Sequence, residues 1–294
     1  MYEQYYGFSE NPFSLTPDPE YLYRSESHAN ALELLEYGIR RREGFMVVTG
    51  DIGTGKTTLC RALLEQTDRK TFTALLLNPF LSEEDLLKAI LQDLGVLSRG
   101  DERSAGRAPS KQDLIATLYD FLLSLIPLGA RAVLIIDEAQ NLPLPILEQI
   151  RILSNLETDK EKLLQIILVG QLNLIPLLRS PELRQLDQRV SIRYQLKPLT
   201  EEEVTAYIAH RLAVASGSRN VTFLPKAVQR IHAYTGGIPR LINLLCDRAL
   251  LGAYAAQTAR VTADHVDVAA EGLDLKPEAE SPSWFGRMRK AITS

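Results

Sequence analysis

The sequence predicts an α/β domain built on a parallel five-stranded sheet with helices on both faces, followed by a small all-helical domain. Three observations carry this prediction. Five short, nearly unbroken apolar runs alternate with helical patterns up to about Leu199, as strands buried between two helix layers do. Beyond that point the strand pattern stops, and about four amphipathic segments follow. Between the first apolar run and the helix after it lies a glycine-rich turn, "TGDIGTGKTTL".

The elements follow in order. Residues 1–24, "MYEQYYGFSENPFSLTPDPEYLY" and Arg24, hold three prolines and many rings without any period. They read as an extended arm whose aromatics pack onto the domain. "SESHANALELLEYGIRRR" reads as a helix with Ser27 as N-cap, Leu32, Leu35 and Ile39 as its apolar stripe, and arginines 40–42 complementing its C-terminal end. Strand "FMVVTG", the glycine turn, helix "KTTLCRALLEQ", strand "TFTALLL" and helix "EEDLLKAILQDL" continue the alternation. "SRGDERSAGRAPSKQD" is polar and aperiodic, so it reads as a mobile loop. Helix "LIATLYDFLLSL", strand "AVLIID", a helix around "LPILEQIRILSNL", and strands "QIILVG" and "VSIRYQL" complete a domain over residues 25–197.

Residues 198–275 form the helical domain. Thr200 and Glu203 stand in capping-box spacing ahead of Val204, Ile208 and Leu212 on one face. "LPKAVQRIHAYTGG", "PRLINLLCDRALLGAYAA" and "TADHVDVAAEGL" supply the other helices. Residues 276–294 read as a flexible cationic tail, "RMRK" beside Trp284 and Phe285. A solvated end is the plain reading of that tail, and peripheral contact with acidic lipid or a partner protein is the functional one.

Bulk properties narrow the function classes. With 294 residues, 45% hydrophobic and 24% charged, the chain has the make-up of a soluble globular protein with one large and one small domain. A net charge of -4 gives no global attraction to nucleic acid. Two cysteines, Cys60 and Cys246, fall in helices without metal-ligand spacing, and they fit a reducing, cytoplasmic compartment. The first residues show no secretory-signal pattern, and no apolar run reaches the ~18 residues of a spanning helix. His28, His210, His232 and His265 are too scattered for a metal or nucleophile cluster.

Gly50, Asp51, Ile52, Gly53, Thr54, Gly55, Lys56, Thr57 and Thr58 contain the pattern G-x-x-x-x-G-K-[ST] between a strand and a helix. Glycines let backbone N–H groups turn inward around a phosphate, and the helix N-terminus adds partial positive charge. Lys56 is placed to reach β- and γ-phosphates, and the Thr57 hydroxyl to bind Mg²⁺. "AVLIIDEAQN" adds Asp137, a second Mg²⁺ ligand, and Glu138, which orients an attacking water. Adjacent acids after a buried strand fit water attack on ATP better than transfer to a small substrate. No N-K-x-D-type guanine reader is present.

These residues resemble the AAA+ class of P-loop NTPases, and more narrowly the general-secretion-pathway protein A (ExeA-like) family. The likeness also rests on "YYGFSENPFSLTPDPEYLY", "SHANALELLEYGI", "LVGQLNL", "LRQLDQRVSIRYQL" and "TGGIPRLINLLCDRAL", and spans about residues 1–272. It implies ATP and Mg²⁺ as cofactors and a nucleotide-dependent homo-oligomer serving a secretion, pilus or exopolysaccharide system through a partner it does not name. It implies Gln171 as a γ-phosphate sensor, with Asn173 as the alternative. It implies Arg189 as an arginine finger acting on a neighbouring subunit, with Arg184 as the alternative. Arg240 resembles a second sensor in the helical lid, and residues 12–23 of the arm would close over the adenine. Each arginine also has a plain reading as a solvated surface charge, and Gln171 as the partner of a strand-end carbonyl. The membrane span and wall-binding domain of larger members are not carried over to these residues. The rival expectation is an ATP-gated DNA-binding adaptor of the transposition-regulator type, which the acidic balance disfavours.

Overall fold

The computed structural model describes residues 2–77, 82–98, 109–159 and 161–277. The chain divides into two compact units. The smaller joins Met1–Ser25, which carries a short helix α1 (Tyr2–Tyr6), with Ile52–Gly55 and Lys197–Ser294. The larger comprises Glu26–Asp51 and Lys56–Leu196.

The larger unit holds helix α2 (Glu26–Arg41) and a wholly parallel sheet of β1 (Phe45–Gly50), β2 (Thr71–Leu76), β3 (Arg131–Ile136), β4 (Leu164–Gly170) and β5 (Ile192–Leu196). Strand order is β2-β3-β4-β1-β5. β1 and β4 are buried at every position and β3 at all but its first, whereas the edge strands β2 and β5 alternate, so burial explains why the central runs are mostly apolar, with Thr49 and Gln165 as their buried polar residues. After β1 the chain crosses to the far edge at β2, and after β4 it passes over β1 to β5. The ends of β1 and β4 therefore flank a topological switch point, where open α/β sheets bind ligands.

Helices α3 (Lys56–Gln66), α4 (Glu83–Asp93), α5 (Lys111–Leu125) and α6 (Leu144–Leu153) clothe the sheet. Leu87, Ile90, Leu118, Leu122, Leu147 and Ile150 are all buried in one core with the β3 and β4 side chains. Three sequence expectations need correction here. Helix α2 begins at Glu26, so Ser27 lies inside its first turn and does not cap it, while Leu32, Leu35 and Ile39 are buried as expected. Arg40 and Arg41 close that helix, but Arg42 adopts φ +58, ion-pairs with Glu161 at 3.1 Å and donates to Ala130 O. The stretch read as a loop up to Asp113 contains the start of α5, where Ser110 and Asp113 form a capping box, and its residues 99–108 lie outside the described residues. Between β4 and β5 the chain makes two further short helices, α7 (Leu174–Leu178) and α8 (Arg184–Asp187), too short for their period to register in the sequence.

In the smaller unit, α9 (Glu201–Val214), α10 (Pro225–Thr235), α11 (Pro239–Ala255) and α12 (Ala263–Glu271) form the expected helical set, and Thr200 with Glu203 makes the expected capping box. The unit is not purely helical, because β6 (Thr222–Phe223) and β7 (Arg260–Val261) form a small parallel pair. Gly237 has φ +74, and a Cβ there would lie 1.9 Å from Leu199 O, so the turn into α11 admits only glycine. The arm is more structured than its lack of period suggests. α1 forms, and Tyr2, Tyr6, Phe8 and Phe13 are buried in the core of this unit. Most of the C-terminal tail lies outside the described residues.

Candidate nucleotide site

β1 ends at Gly50, and α3 begins six residues later at Lys56, so the glycine turn delivers the chain directly into a helix N-terminus. Gly53 and Gly55 have φ +82 and +94, values that side chains rarely tolerate. Within the smaller unit, Gly53 O accepts a hydrogen bond from Arg240 N at 3.1 Å, and a Cβ on Gly53 would lie 2.6 Å from Arg240 Cβ. Thr54 is fully buried, while Asp51 and Ile52 are exposed.

Lys56 is 5% exposed, and its Nζ donates to Gly50 O at 3.1 Å and Asp51 O at 2.9 Å. Burial pulls its pKa below that of an ordinary lysine, and Glu138, Asp137 and Asp51 partly offset this. A desolvated ammonium held by neutral carbonyls is prepared for an anion. Next along α3, Thr57 Oγ1 donates to Asp137 Oδ2 at 2.5 Å. Asp137 is buried at the end of β3, where its Oδ1 accepts from Glu138 N at 2.8 Å. A hydroxyl and a carboxylate side by side are hard oxygen donors of the kind Mg²⁺ takes along with phosphate oxygens. The donor set therefore fits that ion. Among the described residues there is no cluster of three or more His, Cys, Asp or Glu that would hold a metal by protein ligands alone.

Glu138 has φ +52 and ψ 35, an uncommon conformation for a non-glycine residue, and opens a single 3-10 turn, Ala139–Asn141. The turn aims its neighbours at one point. Gln140 Nε2 donates to Glu138 Oε2 at 2.5 Å, and Gln171 Nε2 donates to the same oxygen at 3.3 Å. Gln140 Oε1 accepts from Gln171 N at 2.9 Å. The fold thus brings Lys56, Thr57, Asp137, Glu138 and Gln171 together. Asn173, the alternative to Gln171, is exposed at the start of α7. Gln140 went unread in the sequence, although a polar residue two positions after the acid pair was its available signal.

Three arginines complete the set of candidates. Arg189 and Arg184 are both exposed. Arg189 lies close enough to Glu157 to help lower that carboxyl's pKa, after the hydrogen bond and charge of Lys162. Arg184 lines a shallow cavity of about 360 Å³ with Arg179, Pro181 and Asp187. Arg240 is exposed in the first turn of α11 behind Pro239.

Residues 39–178 match the family model of an AAA domain. Over 292 residues, 99% of its length, the chain is 47% identical to general secretion pathway protein A of Aeromonas hydrophila, and it spans 52% of that protein. Among solved structures it resembles Cdc6p from Pyrobaculum aerophilum, with TM-score 0.69 and 17% identity over 89% of this chain and 70% of that one. It also resembles the ORC2 protein of Aeropyrum pernix in its ADPNP-ADP complexes, with TM-score 0.67 and 16% identity over 90% and 72% of the two chains. A third is the RuvB Holliday junction branch migration motor of Thermotoga maritima, with TM-score 0.55 and 23% identity over 85% and 70%. At these identities the structures share the fold. The expected likeness therefore holds: residues 39–178 match an AAA domain, the fold is that of P-loop NTPases, and almost the whole chain is similar to about half of a general secretion pathway protein A.

Proposed function

We propose that the chain is a Mg²⁺-dependent ATP hydrolase whose nucleotide state governs assembly of a cell-envelope secretion, pilus or exopolysaccharide apparatus. One observation supports the reading above all. Lys56, the Thr57–Asp137 pair and Glu138 converge at the end of a buried sheet beside a helix N-terminus. Lys56 binds the β- and γ-phosphates, helped by the inward N–H groups of the loop. Thr57 and Asp137 would hold Mg²⁺, which supplies charge neutralisation at the phosphate oxygens. Glu138 orients a water toward the γ-phosphorus and takes its proton as the new P–O bond forms and the bond to the ADP oxygen breaks. Gln171 contacts the γ-phosphate, and Arg240 serves as the cation of the helical unit near Gly53. The arm, residues 12–23, contributes to adenine binding.

The envelope assignment is supported by the 47% identity to a general secretion pathway protein A, of which this chain spans about half. Self-association is supported by the exposed arginines 184 and 189, each available to a second copy's nucleotide. Use of ATP implies work on the cytoplasmic side, at the membrane's inner face. Among the described residues no helix is long and apolar enough to cross a membrane.

Glu138→Gln tests the core of this reading. Turnover should fall about 100-fold or more while MgATP still binds. Turnover at the level of the unaltered chain removes Glu138 from its role. Specific activity should also rise with protein concentration and be lost in Arg189→Ala or Arg184→Ala. Activity independent of concentration and of both arginines removes the trans-acting finger.

A further inference from the structure

We propose that Gln140 is a positioning residue for hydrolysis, which fixes the Glu138 carboxylate and ties it to the end of β4. The proposal deepens the reading of Glu138 as the group that orients water, and rests on it. The side-chain amide of Gln140 is used at both ends. Its oxygen accepts from Gln171 N at 2.9 Å, and its nitrogen donates to Glu138 Oε2 at 2.5 Å. Chemistry fixes this orientation, since a backbone N–H can only donate and a carboxylate oxygen can only accept. Turning the amide over would set donor against donor and acceptor against acceptor.

The bridge matters because Glu138 sits in left-handed backbone, outside any regular helix or strand whose own geometry would set its side chain's direction. Two amide donors converge on one carboxylate oxygen and hold the group at one rotamer. The same amide takes up the first backbone N–H beyond β4, so a shift of the β4 end moves Glu138 with it. The sheet has made room for this bridge. A Cβ at Gly170, the last residue of β4, would lie 2.7 Å from Gln140 Oε1 and 2.9 Å from Leu174 Cδ2. Gly170 at the end of β4 and Gln140 in the turn after β3 are therefore one feature, and each provides an independent way to disturb it.

The test uses the full chain with saturating MgATP. Gln140→Leu should lower kcat about 10- to 100-fold with the MgATP Kd unchanged, the penalty of a misplaced reacting group. Gln140→Glu keeps the shape and the acceptor for Gln171 N but loses the donor to Glu138. It should lose kcat in the same way, which separates the donor's role from packing. Gly170→Ala should reproduce the loss by pushing the amide aside. In a Glu138→Gln background, Gln140→Leu should cause no further fall, because its effect passes through Glu138. The proposal is overturned if Gln140→Leu turns over at the unaltered rate while Glu138→Gln is inactive, or if the two losses multiply. Full turnover in Glu138→Gln overturns this proposal together with the reading beneath it.

Discussion

Among the described residues each unit buries one lysine or arginine side chain, and the two are buried to almost the same degree. Lys56 is 5% exposed and Arg211 is 6% exposed. Among the described residues neither takes a hydrogen bond partner from a carboxylate: Lys56 bonds Gly50 O and Asp51 O, while Arg211 bonds Pro12 O, Ser14 O and Tyr207 OH. They differ in what surrounds them. Lys56 feels Glu138 and Asp137 across the glycine turn, and its two bonds leave one of an ammonium's three donors for an incoming anion. Arg211 commits Nε, Nη1 and Nη2 to the arm and to α9, and lies 4.5 Å from the Tyr21 ring centroid and 5.8 Å from that of Tyr207. Tyr207 OH passes the chain of bonds on to Asn243 Oδ1 at 2.8 Å. Burial alone therefore does not mark a functional cation. A cation whose every nitrogen is bonded to the arm or to α9 and whose guanidinium lies beside two rings holds the architecture together, and one with a donor facing carboxylates is set for chemistry.

The largest effect that sharpens this contrast is at Lys56. Lys56→Ala should weaken MgATP binding about 100-fold, equivalent to about 3 kcal/mol for a charge-assisted contact, as read by titration calorimetry. The unfolding free energy should change far less. The lowered pKa of Lys56 adds a pH signature. Only the ammonium form grips phosphate, so affinity should be full below the folded-state pKa and fall as pH rises through it. That fall should begin below the range of an ordinary lysine. Bound triphosphate, with Glu138, Asp137 and Asp51, pulls the pKa back up, so binding near the fall should take up protons from the buffer. A flat profile reaching into the ordinary lysine range breaks the contrast.

Arg211→Met should do the opposite. Stranding the Pro12 and Ser14 carbonyls and the Tyr207 hydroxyl should lower the unfolding free energy by about 3 kcal/mol in urea titrations. Through the loosened arm, KM for ATP should rise a few-fold with kcat unchanged. A fall in kcat at full folding would place Arg211 in the chemistry and end the distinction. The smallest effects lie at two helix starts, one in each unit. Ser110→Ala and Thr200→Ala each remove a capping box and should cost about 1 kcal/mol apiece, without any change in nucleotide affinity. A shift in nucleotide affinity in either variant would tie that helix start to the site.

Much of the fold was legible because its signals are local. The apolar runs of β1, β3 and β4, the capping box at Thr200 and the glycine turn each express a rule that operates over a few residues. What escaped the sequence falls into two kinds. Short elements such as α1, α7 and α8 complete too few turns for a period to emerge. The two-residue pairing of β6 with β7 joins positions far apart in the chain, whereas the burial of the arm's rings was expected from its aromatics. In the candidate site, Lys56, Thr57, Asp137 and Glu138 announced themselves by residue type beside a strand end. Gln140 did not, because its significance lies in meeting Gln171 across two strands.

The sequence by itself determined that this chain has a parallel α/β sheet, a phosphate-binding turn and a pair of acids at the end of one strand. Periodicity and short motifs encode these within a few residues of chain. Only the tertiary structure decided that Thr57 meets Asp137, that one amide joins Glu138 to the end of β4, and that Arg211 is spent on the arm. Those facts depend on strand order and on side chains converging from distant segments, and no local pattern of residues records either.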